Sequence, residues 1–158
     1  MKKIRTILCP IDFDVNSLAT LDWARELARE SNATLHMLHV VTPSYPLFTS
    51  APFLISRTRE CAYIQLQEIA RESAGDVDHR LVLKTGSPAE LIIKTAQELK
   101  ADVVVMATHG RTGVSRLFLG SVTEKVVRAS PCPVLTIRGM SVYRPDRQDS
   151  ANGTNATF

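Results

Sequence analysis

A chain of 158 residues with 44% hydrophobic and 22% charged residues has the size and apolar content of one globular domain with its own core. Its formal net charge of +3 is small and scattered, with no basic run or stripe, which argues against nucleic acid as a partner, and no window reaches the apolar length of a membrane span. Cys9, Cys61 and Cys132 are odd in number and far apart and the four histidines show no metal spacing, so reduced thiols in a cytoplasmic setting are expected rather than a disulfide or metal framework.

The first residues, "MKKIRTILCPIDFD", hold an apolar run of only about five residues before Asp12, too short for a signal peptide. "IRTILCPI" reads as a buried first strand. "SLATLDWARELARE" places Leu18, Leu21, Trp23, Ala24, Leu27 and Ala28 at helical spacing, with Asn16 or Ser17 as its N-cap. "ATLHMLHVV" is a second buried strand, and the proline-bearing "TPSYPLFTSAPF" a loop. "SRTRECAYIQLQEIARES" has Cys61, Ile64, Leu66 and Ile69 near helical spacing and predicts a second helix. "HRLVLKTG", shorter and more polar, predicts a third strand at or near an edge. "SPAELIIKTAQEL" opens a third helix with Ser87 and Glu90 spaced as a capping box and Pro88 at the first helical position. "ADVVVMAT" is a fourth strand, "SVTEKVVRAS" a fourth helix and "PCPVLTIR" a fifth strand. The polar tail 139–158 predicts disorder, and its two glycosylation sequons carry no weight without a secretory signal.

Strands that alternate with helices and are apolar on both faces predict a parallel sheet covered by helices on both sides. Two strand orders, 2-1-3-4-5 and 3-2-1-4-5, are usual for five strands. In both, ligands bind beyond the carboxyl ends of the strands at the switch point. In the second order that point brings Asp12, after strand one, beside the loop "THGRTGVSRLFLGS" after strand four. The glycines of this loop and the start of the next helix could cradle a phosphate with converging N–H groups. Equally, Gly120 and Ser121 could be only a turn and a cap, completed by Glu124. No P-loop and no dinucleotide fingerprint is present.

"ILCPIDFDVNS", "LHMLHVV", "VVMATHGRTGVSRLFLGSVTEKVVRAS" and "PCPVLTIR", in this order and spacing, resemble the universal stress protein family over roughly residues 3–138. The resemblance implies one domain, 1–138, with a doubly wound five-stranded parallel sheet of order 3-2-1-4-5 and helices on both faces. It also implies a homodimer that pairs through the last strand, 133–138. One branch of the family binds ATP or another adenine nucleotide through the pattern G-x-x-G, nine residues, then G-[S/T]; the other branch lacks the glycine loop. Here the second glycine falls on Gly110 and the final pair on Gly120 and Ser121. The first falls on Ala107, a departure whose methyl group excludes a glycine-only backbone and crowds the ribose side.

By matched position the resemblance implies Asp12 at the ribose or adenine edge, Pro10 and Val40 lining the adenine slot, Met106 near the base or ribose, and the Val122 amide at the helix start. Val40 would act through its backbone N–H and C=O. Phe13 and Asp14 stand where binders often carry a small or hydroxyl residue, and Asp14 adds negative charge. His39, His109, Arg111 and Arg116 read as structural or solvated, and Cys132 as buried rather than reactive. The resulting expectation is a cytoplasmic ATP-binding stress-response protein that senses or switches. Mg²⁺ or Mn²⁺ would ride on the phosphates, and hydrolysis would be slow at most. The alternatives are a dimeric interaction module without nucleotide and, on weaker grounds, a phosphotransferase.

Overall fold

The computed structural model describes residues 3–43, 51–108 and 119–138, with the backbone alone for 51–55. The elements alternate as β1 (Thr6–Pro10), α1 (Val15–Ser31), β2 (Thr34–Val41), α2 (Ala51–Ser73), β3 (His79–Thr85), α3 (Pro88–Glu98), β4 (Val103–Ala107), α4 (Ser121–Ala129) and β5 (Val134–Ile137). The sheet is parallel, in the order β3-β2-β1-β4-β5, so β3 is an edge strand as its polarity predicts. The register of β1 on β2 runs from Thr6↔Thr34 to Pro10↔Leu38.

Each sheet face carries its own core. On one face Leu21, Ala24 and Ala28 of α1 and Leu66 and Ala70 of α2 pack over Ile7, Cys9, Leu35 and Met37. On the other, Ala89, Ile92 and Ala96 of α3 and Val126 of α4 cover Leu8, Leu38 and Val104. The alanines let the helices approach the branched strand residues closely. Burying a Leu or Ile side chain here contributes roughly 1.5–3 kcal/mol. Among the described residues no helix is long and apolar enough to cross a membrane.

Several local expectations are corrected. α2 starts at Ala51, inside the segment read as a loop; Pro52 is tolerated there because a first-turn N–H has no helical partner to lose. Its inward stripe is Ala62, Leu66 and Ala70, whereas Cys61 is exposed and Ile64 is 50% exposed. Trp23 is also turned outward, at 58% exposure. In both helices the apolar residues outnumber one face, and the small residues win the contact with the sheet. The N-cap of α1 is Asp14, ahead of the expected Asn16 or Ser17, and its carboxylate accepts from the Asn16 N–H at 2.9 Å. Ser87 caps α3 without a side-chain bond, so the capping box there does not close.

Candidate functional site

Beyond the carboxyl ends of β1, β2 and β4 lies a cleft of about 590 Å³. Three stretches of the chain build the part of it that the sequence pointed to.

The first is the turn from β1 into α1. Ile11 continues the pairing with β2, donating its N–H to Leu38 O at 2.8 Å. The chain then breaks away at Phe13, whose φ of 65° lies in the left-handed region. That conformation costs a bulky residue about 1 kcal/mol or more and persists only where the surroundings hold it. They do so on both sides. The Phe13 ring stacks on His39, with centroids 4.0 Å apart and planes at 19°. His39 Nδ1 bonds Ile11 O at 2.7 Å. Asp12 Oδ1 accepts the Asp14 N–H at 3.1 Å, and the Asp12 N–H donates to Ser17 Oγ at 3.3 Å. Ser17, 4% exposed, donates in turn to Asp14 O at 2.9 Å. Pro10, Asp12, Phe13 and Ser17 all line the cleft. Asp14 does not: its Oδ1 takes both the N–H and the Nδ2 of Asn16 at 2.9 Å, so its charge serves the start of α1.

The second stretch is the end of β2. Along a parallel strand the N–H and C=O of one residue face the same neighbour, and those of the next residue face the other. Thr34 N–H bonds Arg5 O, and Leu38 O accepts from Ile11, both on the β1 side. Leu35 N–H bonds Asp78 O, and Val41 O accepts from Gly86, both on the β3 side. Val40 shares the parity of Leu38. Its N–H and C=O therefore face the β1 side, two residues past the last β1 pair, Pro10↔Leu38, and the residue lines the cleft.

The third is the connection from β4 to α4. Met106, 5% exposed, belongs to the core and also reaches the cleft wall beside Ala107. Ala107 is absent from the left-handed residues, so its methyl group forces no backbone strain. The Ala107 carbonyl accepts from Thr123 Oγ1 at 2.9 Å, and Thr108 O accepts from the Gly120 N–H at 2.8 Å. These two bonds pin the start of α4 to the end of β4. Gly120 is the N-cap with φ −59°, a value open to any residue. What glycine supplies there is the absence of a side chain at the helix mouth. Ser121 is the first helical residue, so it is not the cap and no side-chain cap bond forms; Glu124 pairs instead with Arg128 at 2.9 Å. Gly120, Ser121 and Val122 line the cleft at this positively polarised helix end.

Eight of the nine residues singled out in the sequence thus share one cleft; the ninth, Gly110, lies outside the described residues, as do Gly113, His109, Arg111 and Arg116. Sequence reasoning missed Ser17 as a cleft residue, and it read His39 as structural or solvated without locating its stack on Phe13. It also missed a wall built by Thr58, Cys61, Ala62 and Gln65 of α2. All four lie in the stretch already predicted as the second helix, but helical periodicity does not show which residues reach past the strand ends into the cleft. Of the cysteines, Cys9 is fully buried, and desolvation pushes its thiol up to about 12. Cys132 is partly buried and packs against the α3–α4 core.

The model of the universal stress protein family matches residues 3–138. Universal stress protein MJ0531 of Methanocaldococcus jannaschii is 32% identical over 140 residues, covering 85% of this chain and 82% of the relative. A universal stress protein of Thermus aquaticus is 33% identical over 138 residues, covering 85% and 98%. Among solved structures, that of the M. jannaschii protein MJ0577 superposes with a TM-score of 0.77 at 27% identity, over 87% of this chain and 97% of its own. A universal stress protein in complex with cAMP superposes with a TM-score of 0.70 at 26% identity, over 88% and 100%. With this sheet order and a family match across nearly the whole described chain, the protein belongs to the universal stress protein family.

Proposed function

We propose that this chain binds ATP or another adenine nucleotide in the cleft and acts through that binding as a sensor or switch in a cytoplasmic stress response. One observation carries the reading: the two ends of a single cleft offer the two chemistries such a ligand needs. At one end the Val40 backbone presents a donor and an acceptor past the end of β1, as an adenine edge requires. At the other, α4 begins with glycine, free of a side-chain cap, where phosphate oxygens meet amide N–H groups and the helix dipole. The relative solved with cAMP supports an adenine nucleotide as the class.

In this reading Pro10 and Val40 flank the base, and Asp12 accepts from the ribose hydroxyls. Met106 and Ala107 floor the sugar, while Gly110, Gly120, Ser121 and Val122 receive the phosphates. A Mg²⁺ or Mn²⁺ ion would ride on the phosphates, since such ions keep few protein ligands. We read the nucleotide as held rather than turned over: the described residues at the phosphate end, Gly120, Ser121 and Val122, offer it hydrogen bonds. Pairing through β5 would form the homodimer; Leu135 stands 42% exposed on that edge strand.

A second reading, a dimeric interaction module without nucleotide, draws on the Ala107 methyl at the sugar position. Native mass spectrometry of the purified protein separates the two. The nucleotide reading expects a retained adenine nucleotide, or a thermal shift on titration with ATP. No retained mass together with no shift at millimolar ATP would sink it.

A further inference from the structure

α2 is 23 residues long, about 34 Å at 1.5 Å per residue, whereas β2 is 8 residues, about 26 Å. The helix returns antiparallel to the strands over the face it shares with α1. Its first buried position among the described residues is Ala62, and the stretch 51–61 leads up to it. That stretch rises roughly 16 Å along the axis. The lower half of α2 is therefore a core element, and its upper part stands beside the carboxyl ends of the strands.

The residues of α2 that border the cleft are Thr58, Cys61, Ala62 and Gln65. Their spacing, i, i+3, i+4 and i+7, is that of one continuous helix face. Three of the four carry a hydroxyl, a thiol or a carboxamide, and Cys61 and Gln65 are exposed. The face also has a definite position along the cleft. α2 joins β2 to β3, on the side of β1 opposite β4, and α4 begins after β4. The α2 face thus stands at the end where Val40 turns its backbone groups, far from the helix mouth at Gly120.

We propose that this α2 face is the base-side wall of the nucleotide site, with the Cys61 thiol in contact with the bound base. The inference rests on the nucleotide reading and adds to it a specificity surface that the glycine pattern of the sequence does not contain. Cys61 reports on it chemically. Cys9 is fully buried and its thiol is held protonated, so alkylation at neutral pH distinguishes the exposed thiol from it; peptide mapping separates Cys61 from Cys132.

The test follows N-ethylmaleimide labelling of Cys61 in the full chain by peptide mass spectrometry, beside a thermal shift on the same samples. With ATP at ten times its dissociation constant, labelling of Cys61 is expected to slow about tenfold, in proportion to the free fraction. Inorganic tripolyphosphate, which mimics only the phosphate end, is expected to leave the rate unchanged. A Cys61→Trp variant places a large ring on an exposed helix position and is expected to weaken ATP about tenfold or more with the circular dichroism unchanged. If ATP raises the melting temperature while Cys61 labels at the same rate, the wall is elsewhere and the nucleotide reading survives alone. Equal protection by tripolyphosphate would also overturn the placement. If ATP neither shifts melting nor protects, both readings fall.

Discussion

Thr123 is the most direct point at which to test how the α4 end of the cleft, the proposed phosphate end, is held. It is 4% exposed, and its Oγ1 donates to Ala107 O at 2.9 Å, tying the first turn of α4 to the last residue of β4. Thr123→Val keeps the shape and removes the donor. The lost bond itself is worth about 1 kcal/mol net, and a carbonyl left without a partner costs about 1–3 kcal/mol. A loss near 2 kcal/mol corresponds to a fall in melting temperature of about 4–8 °C for a domain of this size. Thr123→Ser, which keeps the hydroxyl and loses one methyl, is expected to fall by about half of that or less. Urea titration and calorimetry measure the stability, and isothermal titration with ATP measures the site. The valine variant is expected to lose affinity as well, because the helix mouth and the strand end are no longer held in register. A valine variant as stable as the parent, or a serine variant that falls as far, would refute the role of this bond. Reduced stability with unchanged ATP affinity would show that the bond supports the fold and not the site.

Three further outcomes are expected. Asp14→Ala removes the cap of α1 and should cost about 1 kcal/mol in urea unfolding, whereas Asp14→Asn should lose only part of it; equal losses would assign the effect to charge. His36 is held below its ordinary value, first by burial and then by the Arg80 charge, and its Nδ1 is buried without a partner. The unfolded chain therefore takes up this proton before the folded one does. Stability should decline as pH falls below about 6.5, the ordinary histidine value. A His36→Gln variant should decline less over that range, and an identical pH profile would remove His36 as the cause. Ala107→Gly should tighten ATP, by no more than about tenfold, at a stability cost of about 0.5–1 kcal/mol for glycine in a strand. Unchanged affinity measured by titration calorimetry would mean that the methyl group does not crowd the sugar.

The alternation of elements was legible because the strands are short branched runs and the helices are amphipathic. The strand order needed the resemblance, since periodicity left two orders open. At the site, Gly120 and Ser121 could be named from the loop and the helix start, Asp12 from its place after a buried strand, and Val122 only from the resemblance. What Val40 offers could not be read from local pattern, because the direction of its backbone groups follows from the register of β2 against both neighbours. Trp23 and Cys61 were assigned to the wrong helix faces for one reason: when apolar residues spread around a helix, the small ones set which side can approach a sheet. Pro52 hid only the first turn of α2, since a proline reads as a break unless its first-turn position is known; the wall further along lay inside the predicted helix, and periodicity does not show which of its residues reach the cleft.

The turn from Ile11 to Ser17 has a consequence for time rather than for structure. Its left-handed residue, ring stack and chain of hydrogen bonds are all made between groups of the protein itself. Ordering a residue costs about 1–2 kcal/mol, and here that cost is met during folding and not at each encounter. If the cleft takes a nucleotide, association at this end is expected in one kinetic phase, with a rate that grows in proportion to nucleotide concentration and shows no plateau from a slow rearrangement. A fixed receptor surface is also a poor transmitter. A change that occupancy is to send elsewhere in the molecule has to start at another wall of the cleft than this turn.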